Sequence, residues 1–113
     1  MLFFKAIFYG NRAACYISIE EYTNALEDCN KSIETKPDYV KVLMRRCQLY
    51  EKLDKLDEAI ADAKRVKELD SLYPKISNLI SRLETANQDK LNKLKDEALG
   101  YPISFPFFYC KNI

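Results

Sequence analysis

The sequence predicts an all-α chain of stacked helix pairs, and three observations carry that prediction. Apolar residues recur at helical spacing through most of the 113 positions. Glycine occurs only twice, which suits long helices rather than turn-rich sheets. The chain also repeats itself: a slide of 34 residues aligns Ala6–Tyr39 with Val40–Tyr73 and gives six identical pairs, Arg12/Arg46, Tyr16/Tyr50, Ala25/Ala59, Asp28/Asp62, Glu34/Glu68 and Tyr39/Tyr73. Apolar character is kept at Phe8/Val42, Tyr9/Leu43, Cys15/Leu49, Ile19/Leu53, Tyr22/Leu56 and Leu26/Ile60. Units of this kind bury their apolar faces only by stacking on one another, which makes a helical solenoid.

Each element follows from its own residues. Tyr9, Ala13, Tyr16 and Ile19 form a helical stripe that Glu20 and Glu21 break. Tyr22, Ala25, Leu26, Cys29 and Ile33 form the next, and Pro37 closes it because proline lacks the N–H a helix needs. The second unit repeats the plan with Leu43, Cys47, Tyr50 and Leu53, a turn at Asp54 and Lys55, then Leu56, Ala59, Ile60 and Ala63, ending at Asp70 and Ser71. Ala13, Ala25 and Ala59 are small where two helix backbones must approach closely. Past Pro74, Ile76, Leu79, Ile80 and Leu83 lead into a polar second half with Leu91, Leu94 and Ala98. That pattern predicts a capping helix, packed at its start and solvated beyond. The expected organisation is a domain over 1–99, with repeats 6–39 and 40–73 and a capping helix 74–99, followed by an aromatic tail 100–113. The tail holds five aromatics and two prolines with no regular period, so it is expected to be irregular.

Charge and missing residue types narrow the function. Eighteen basic against seventeen acidic residues leave a net charge of +1, too little for a nucleic-acid partner. Without histidine, general-base chemistry and metal binding both lose their commonest side chain, so neither an enzyme nor a metal or cofactor site is expected. Cys15, Cys29, Cys47 and Cys110 are spaced by 14, 18 and 63 residues, which is not a zinc pattern. They read as free thiols in a reducing compartment. The apolar start, Met1–Tyr9, is interrupted at Lys5 and is too short for a membrane span, and it has no leader-peptide pattern. A cytoplasmic protein is expected. Phe3, Phe4, Ile7 and Phe8 are expected to lie on an open N-terminal face, where self-association would follow.

The 34-residue unit resembles the tetratricopeptide repeat, whose pattern is W-x-x-L-G-x-x-Y…A-x-x-x-F…P. This chain shows Tyr9, Ala13, Tyr16, Ala25, Cys29 and Pro37, then Leu43, Cys47, Tyr50, Ala59, Ala63 and Ser71. Cys29 and Ala63 stand in for the usual aromatic, and Ser71 for the proline. The string Gly10-Asn11-Arg12-Ala13-Ala14 resembles the opening of the middle repeat in chaperone-binding domains, and Lys41–Arg46 that of the third. The run Leu49–Ala59, with the lysine-rich helix after Pro74, is similar to the family of tetratricopeptide repeat protein 1. That likeness implies an adaptor for the chaperones Hsp70 and Hsp90, with small or heterotrimeric G proteins as further partners. It also implies that the family's first repeat is missing here.

The resemblance further implies a peptide groove lined by the first helix of each pair. Asn11 and Arg45 hold the same place in successive units, and Lys41 lies one turn before Arg45 on the same face. By family likeness these three join a clamp on the two terminal carboxylates of a chaperone tail ending in Glu-Glu-Val-Asp. Arginine and lysine give charge-assisted bonds, and asparagine adds a neutral donor. The family clamp also takes a lysine and an asparagine from a preceding repeat, so only a partial clamp is expected. Gln48 and Arg82 occupy corresponding groove positions of the second and third units and would touch the peptide further upstream. Without Asn11 in register, Lys41 and Arg45 would be an ordinary solvated helix face. Arg12 and Arg46 read instead as bridges between helices, and Tyr16 and Tyr50 as core. The alternative is a scaffold that holds a G protein or another helical partner on its convex face or long last helix.

Overall fold

A computed structural model describes residues 2–99, with side chains over 3–96. The expected tail, 100–113, and with it Cys110, lies outside the described residues. Among the described residues five helices follow one another: α1 (Leu2–Ser18), α2 (Tyr22–Thr35), α3 (Val40–Lys52), α4 (Leu56–Leu69) and α5 (Ile76–Leu99). Among the described residues there is no strand, and no helix is long and apolar enough to cross a membrane. Each helix packs on its successor, which is the all-α solenoid that the repeat predicts.

The turns repeat as faithfully as the helices. Glu20 and Asp54, one unit apart, both take left-handed backbone, with φ of 61° and 62°. Each ends its helix in a Schellman motif. The Glu21 N–H donates to the Tyr16 carbonyl at 2.9 Å and the Glu20 N–H to Ile17 at 3.0 Å. In the next unit Lys55 donates to Tyr50 at 2.8 Å and Asp54 to Glu51 at 3.1 Å. These bonds satisfy carbonyls the helix leaves open, and they offset the strain of a non-glycine residue at positive φ. At the far ends, the Lys36 N–H caps Ser32 at 2.9 Å and the Asp70 N–H caps Val66 at 2.8 Å. Pro37 follows the first of these stops, where no helix could continue.

Two cores result, and α3 contributes to both. Ala13, Ala25, Cys29, Val42 and Leu49 form the first; Leu43, Met44, Cys47, Leu56, Ala59, Ala63, Val66, Ile76, Ile80 and Leu83 form the second. Ala13, Ala25 and Ala59 are fully buried, as close helix approach requires. Only the first turns of α5 are packed, while Leu91 and Leu94 are each 52% exposed. At the other end Phe3, Phe4 and Phe8 are exposed and Ile7 is half-buried.

Cys15, Cys29 and Cys47 are free thiols, and the last two are buried. The Cys47 thiol donates to the Ala59 carbonyl at 3.3 Å. Burial pushes the Cys29 thiol up to about 11 and Cys47 up to about 12, from an ordinary 9.0. Above pH 9 the unfolded chain therefore sheds thiol protons that the folded chain keeps. This contribution to stability is whole below pH 9 and is lost as pH rises through 11 to 12. Melting temperature should fall between pH 9 and 11 more steeply in the native chain than in a Cys29→Ala, Cys47→Ala variant. Equal slopes in thermal scans would show that the two thiols do not drive the fall.

Candidate peptide groove

Because α3 buries one face in each core, a single stripe of it meets solvent: Lys41, Gln48 and Lys52 are exposed and Arg45 is half-buried. Their spacing of four, three and four residues keeps them on one side of the helix. On α1 the corresponding positions are Ile7, Asn11, Ala14 and Ser18, of which Asn11 and Ser18 are exposed and Ile7 and Ala14 half-buried. Individual side chains link the first helices of the units, reaching from α3 to α1 and from α5 to α3.

The first of these links is Arg45. Its Nη1 donates to the Gly10 carbonyl at 3.0 Å, which brings the guanidinium beside Asn11. Gly10 makes that approach possible. A Cβ there would stand 2.8 Å from the Val42 Cγ2, so any side chain would require Val42 on α3 to shift. Ser32 adds a tie from α2, its hydroxyl donating to the Ala6 carbonyl at 2.7 Å. Arg45 thus spends one donor on a neutral carbonyl and keeps its remaining N–H groups for a ligand.

Charge accounting separates the groove cations from the structural ones. Arg12 donates to both oxygens of buried Asp28, at 2.6 and 2.8 Å. One unit later Arg46 repeats this on Asp62, at 2.8 and 2.7 Å, and adds Asn30 at 3.0 Å. The bond to the aspartate raises the pKa of each arginine. Both are helix bridges, as the sequence suggests, and both charges are cancelled. Arg82 on α5 is also paired, through both guanidinium NH₂ groups, with Glu51 of α3. Among the described residues no ion pair engages Lys41 or Arg45. The predicted residues therefore divide into Lys41 and Arg45, which have no ion-pair partner among the described residues, exposed Asn11, next in sequence to the carbonyl that holds Arg45, exposed Gln48, and Arg82, which is held by a carboxylate. Charged N–H donors next to a neutral amide suit carboxylate recognition.

Sequence reasoning missed Glu51. Its partner Arg82 lies 31 residues away, which is not the repeat period. The signal available was an acidic residue one turn beyond Gln48. Three further polar contacts seat α5 on the α3–α4 turn. Asn87 donates to Asp57 at 2.8 Å, and Lys90 reaches the Asp54 carbonyl and carboxylate, each at 2.9 Å.

Known proteins share this fold. Residues 6–39 and 40–71 each match the tetratricopeptide repeat. Protein unc-45 homolog B of Xenopus laevis is 40% identical over 88 residues, 78% of this chain and 10% of that protein. The first TPR of Spaghetti (RPAP3), solved with the HSP90 peptide SRMEEVD, superposes with a TM-score of 0.69 at 29% identity, covering 74% of this chain and 66% of that one. The second TPR domain of human RPAP3, solved with the HSP70 peptide SGPTIEEVD, gives 0.65 at 30%, covering 71% and 67%. This chain spans about a tenth of the length of the unc-45 relatives. With two matched units and helices to fit them, the chain belongs to the tetratricopeptide repeat family.

Proposed function

We propose that this chain is a co-chaperone adaptor module whose groove takes the free carboxyl terminus of an acidic peptide of the Hsp70/Hsp90 type. The observation that carries this reading is the uncompensated charge of Lys41 and Arg45 beside Asn11. Arg45 can grip a carboxylate through two parallel N–H bonds, Lys41 adds a point charge one turn away, and the Asn11 amide donates a neutral bond. Gln48 meets the chain upstream of the terminus. The peptides held by the RPAP3 domains share the ending Glu-Glu-Val-Asp, which offers a main-chain and a side-chain carboxylate on one residue. The uncompensated cations of the groove match that pair.

The test is a fluorescence anisotropy titration with two peptides of one sequence ending in Glu-Glu-Val-Asp, one a free acid and the other amidated. The acid should bind at least about tenfold more tightly, because the amide loses one charged contact worth roughly 1.5–3 kcal/mol. Superimposable curves would remove the carboxylate reading and leave the convex face as the working surface.

A further inference from the structure

The two arginines that reach across the groove differ in what holds them. Arg45 rests on the neutral Gly10 carbonyl and keeps its charge. Arg82 rests on the Glu51 carboxylate, whose negative charge offsets its own. Glu51 lies one turn past Gln48, on the flank of α3 that faces α5 rather than α1, so the pair closes the α5 end of the groove. It is not a buried structural bridge of the Arg46–Asp62 kind. The Arg82 side chain is 58% exposed and that of Glu51 31%, against 21% and 7% in the inner pair. An ion pair this exposed contributes little to stability, so an incoming carboxylate can displace it.

We propose that Glu51 is a built-in competitor for Arg82 that sets what the groove accepts upstream of the terminal carboxylate. This rests on the clamp reading above. A ligand's acidic side chain reaching Arg82 must evict Glu51, which leaves two carboxylates facing one guanidinium. The exchange gains one charged contact and loses another, and adds a like-charge repulsion. A neutral or apolar side chain leaves the pair intact. The α3 end of the groove therefore reads a carboxylate, while the α5 end discriminates against one. Glu51 decides the second preference, and Arg82 is the cation it withholds.

The experiment uses two free-acid peptides ending in Glu-Glu-Val-Asp, one with glutamates and one with glutamines in the four preceding positions. Both are titrated against the native chain, Glu51→Gln, Arg82→Gln and the double variant. Glu51→Gln should tighten the glutamate peptide about three- to fivefold relative to the glutamine peptide, and the gain should shrink in high salt. The double variant should lose the gain, since no cation is left to release. Arg82→Gln breaks the same α3–α5 contact without freeing a cation, so loosening of α5 alone would move both peptides equally in all variants. An unchanged affinity ratio in Glu51→Gln, with both peptides binding, would overturn the proposal. If neither peptide binds the native chain, the clamp reading itself falls.

Discussion

Lys41→Glu should abolish binding of a peptide ending in Glu-Glu-Val-Asp, and Arg45→Ala should weaken it by about 10- to 100-fold. The second figure is the loss of one charge-assisted contact of roughly 1.5–3 kcal/mol. The first is larger because the substitution both removes a cation and sets a carboxylate against the ligand. Lys41 is exposed and outside both cores, so Lys41→Glu should melt close to the native chain. Arg45 gives up only its single bond to Gly10. Arg12 and Arg46 carry the same formal charge but should be poor levers on affinity, because Asp28 and Asp62 already neutralise them. Calorimetric titration of the two groove variants decides the matter. Native-like affinity in Lys41→Glu would mean that the peptide does not sit on α3.

Arg46→Met should lower stability by about 2–4 kcal/mol, read as a shift of the urea midpoint. Asp62 is 5% exposed, and without its arginine it would be an unpaired charge between α3 and α4. The cost exceeds that of a surface pair because water cannot replace the lost donors. Arg46 also lies over the Tyr50 ring at 5.7 Å and donates to Asn30, so it joins α2, α3 and α4 at one point. The double variant Arg46→Met, Asp62→Leu should recover much of the loss, since replacing both partners by apolar groups removes the stranded charge. A single variant as stable as the native chain would show that Asp62 is solvated and the bridge dispensable.

The fold was legible because its period was. Every helix end that repeats, at Glu20 and Asp54 and at Thr35 and Leu69, follows from a break in a stripe of apolar residues. The Arg–Asp bridges were half legible. Arg12/Arg46 and Asp28/Asp62 recur one unit apart, and each arginine precedes its aspartate by 16 residues. Two identities with a constant offset are the mark of a contact inside the repeat, whereas either identity alone marks only a position. The shared register of Asn11, Lys41 and Arg45 follows from the repeat, and the geometry adds that Arg45 bonds to Gly10 while Lys41 has no ion pair among the described residues. What the sequence could not supply was any contact off the repeat. Arg82 looked like a free groove cation because Gln48 and Arg82 are one unit apart, while its partner Glu51 is not. The polar seat of α5 on the α3–α4 turn was hidden for the same reason, since Lys90 and Asp54 are 36 residues apart.

Backbone amide chemical shifts, followed while a peptide ending in Glu-Glu-Val-Asp is added, locate the terminal carboxylate directly. Carboxylate capture between α1 and α3 predicts the largest changes at Gly10, Asn11, Lys41, Arg45 and Gln48, and their absence with the amidated peptide. Changes concentrated instead on the outer faces of α2 and α4, around Asn24 or Arg65, and equal for acid and amide, would contradict it.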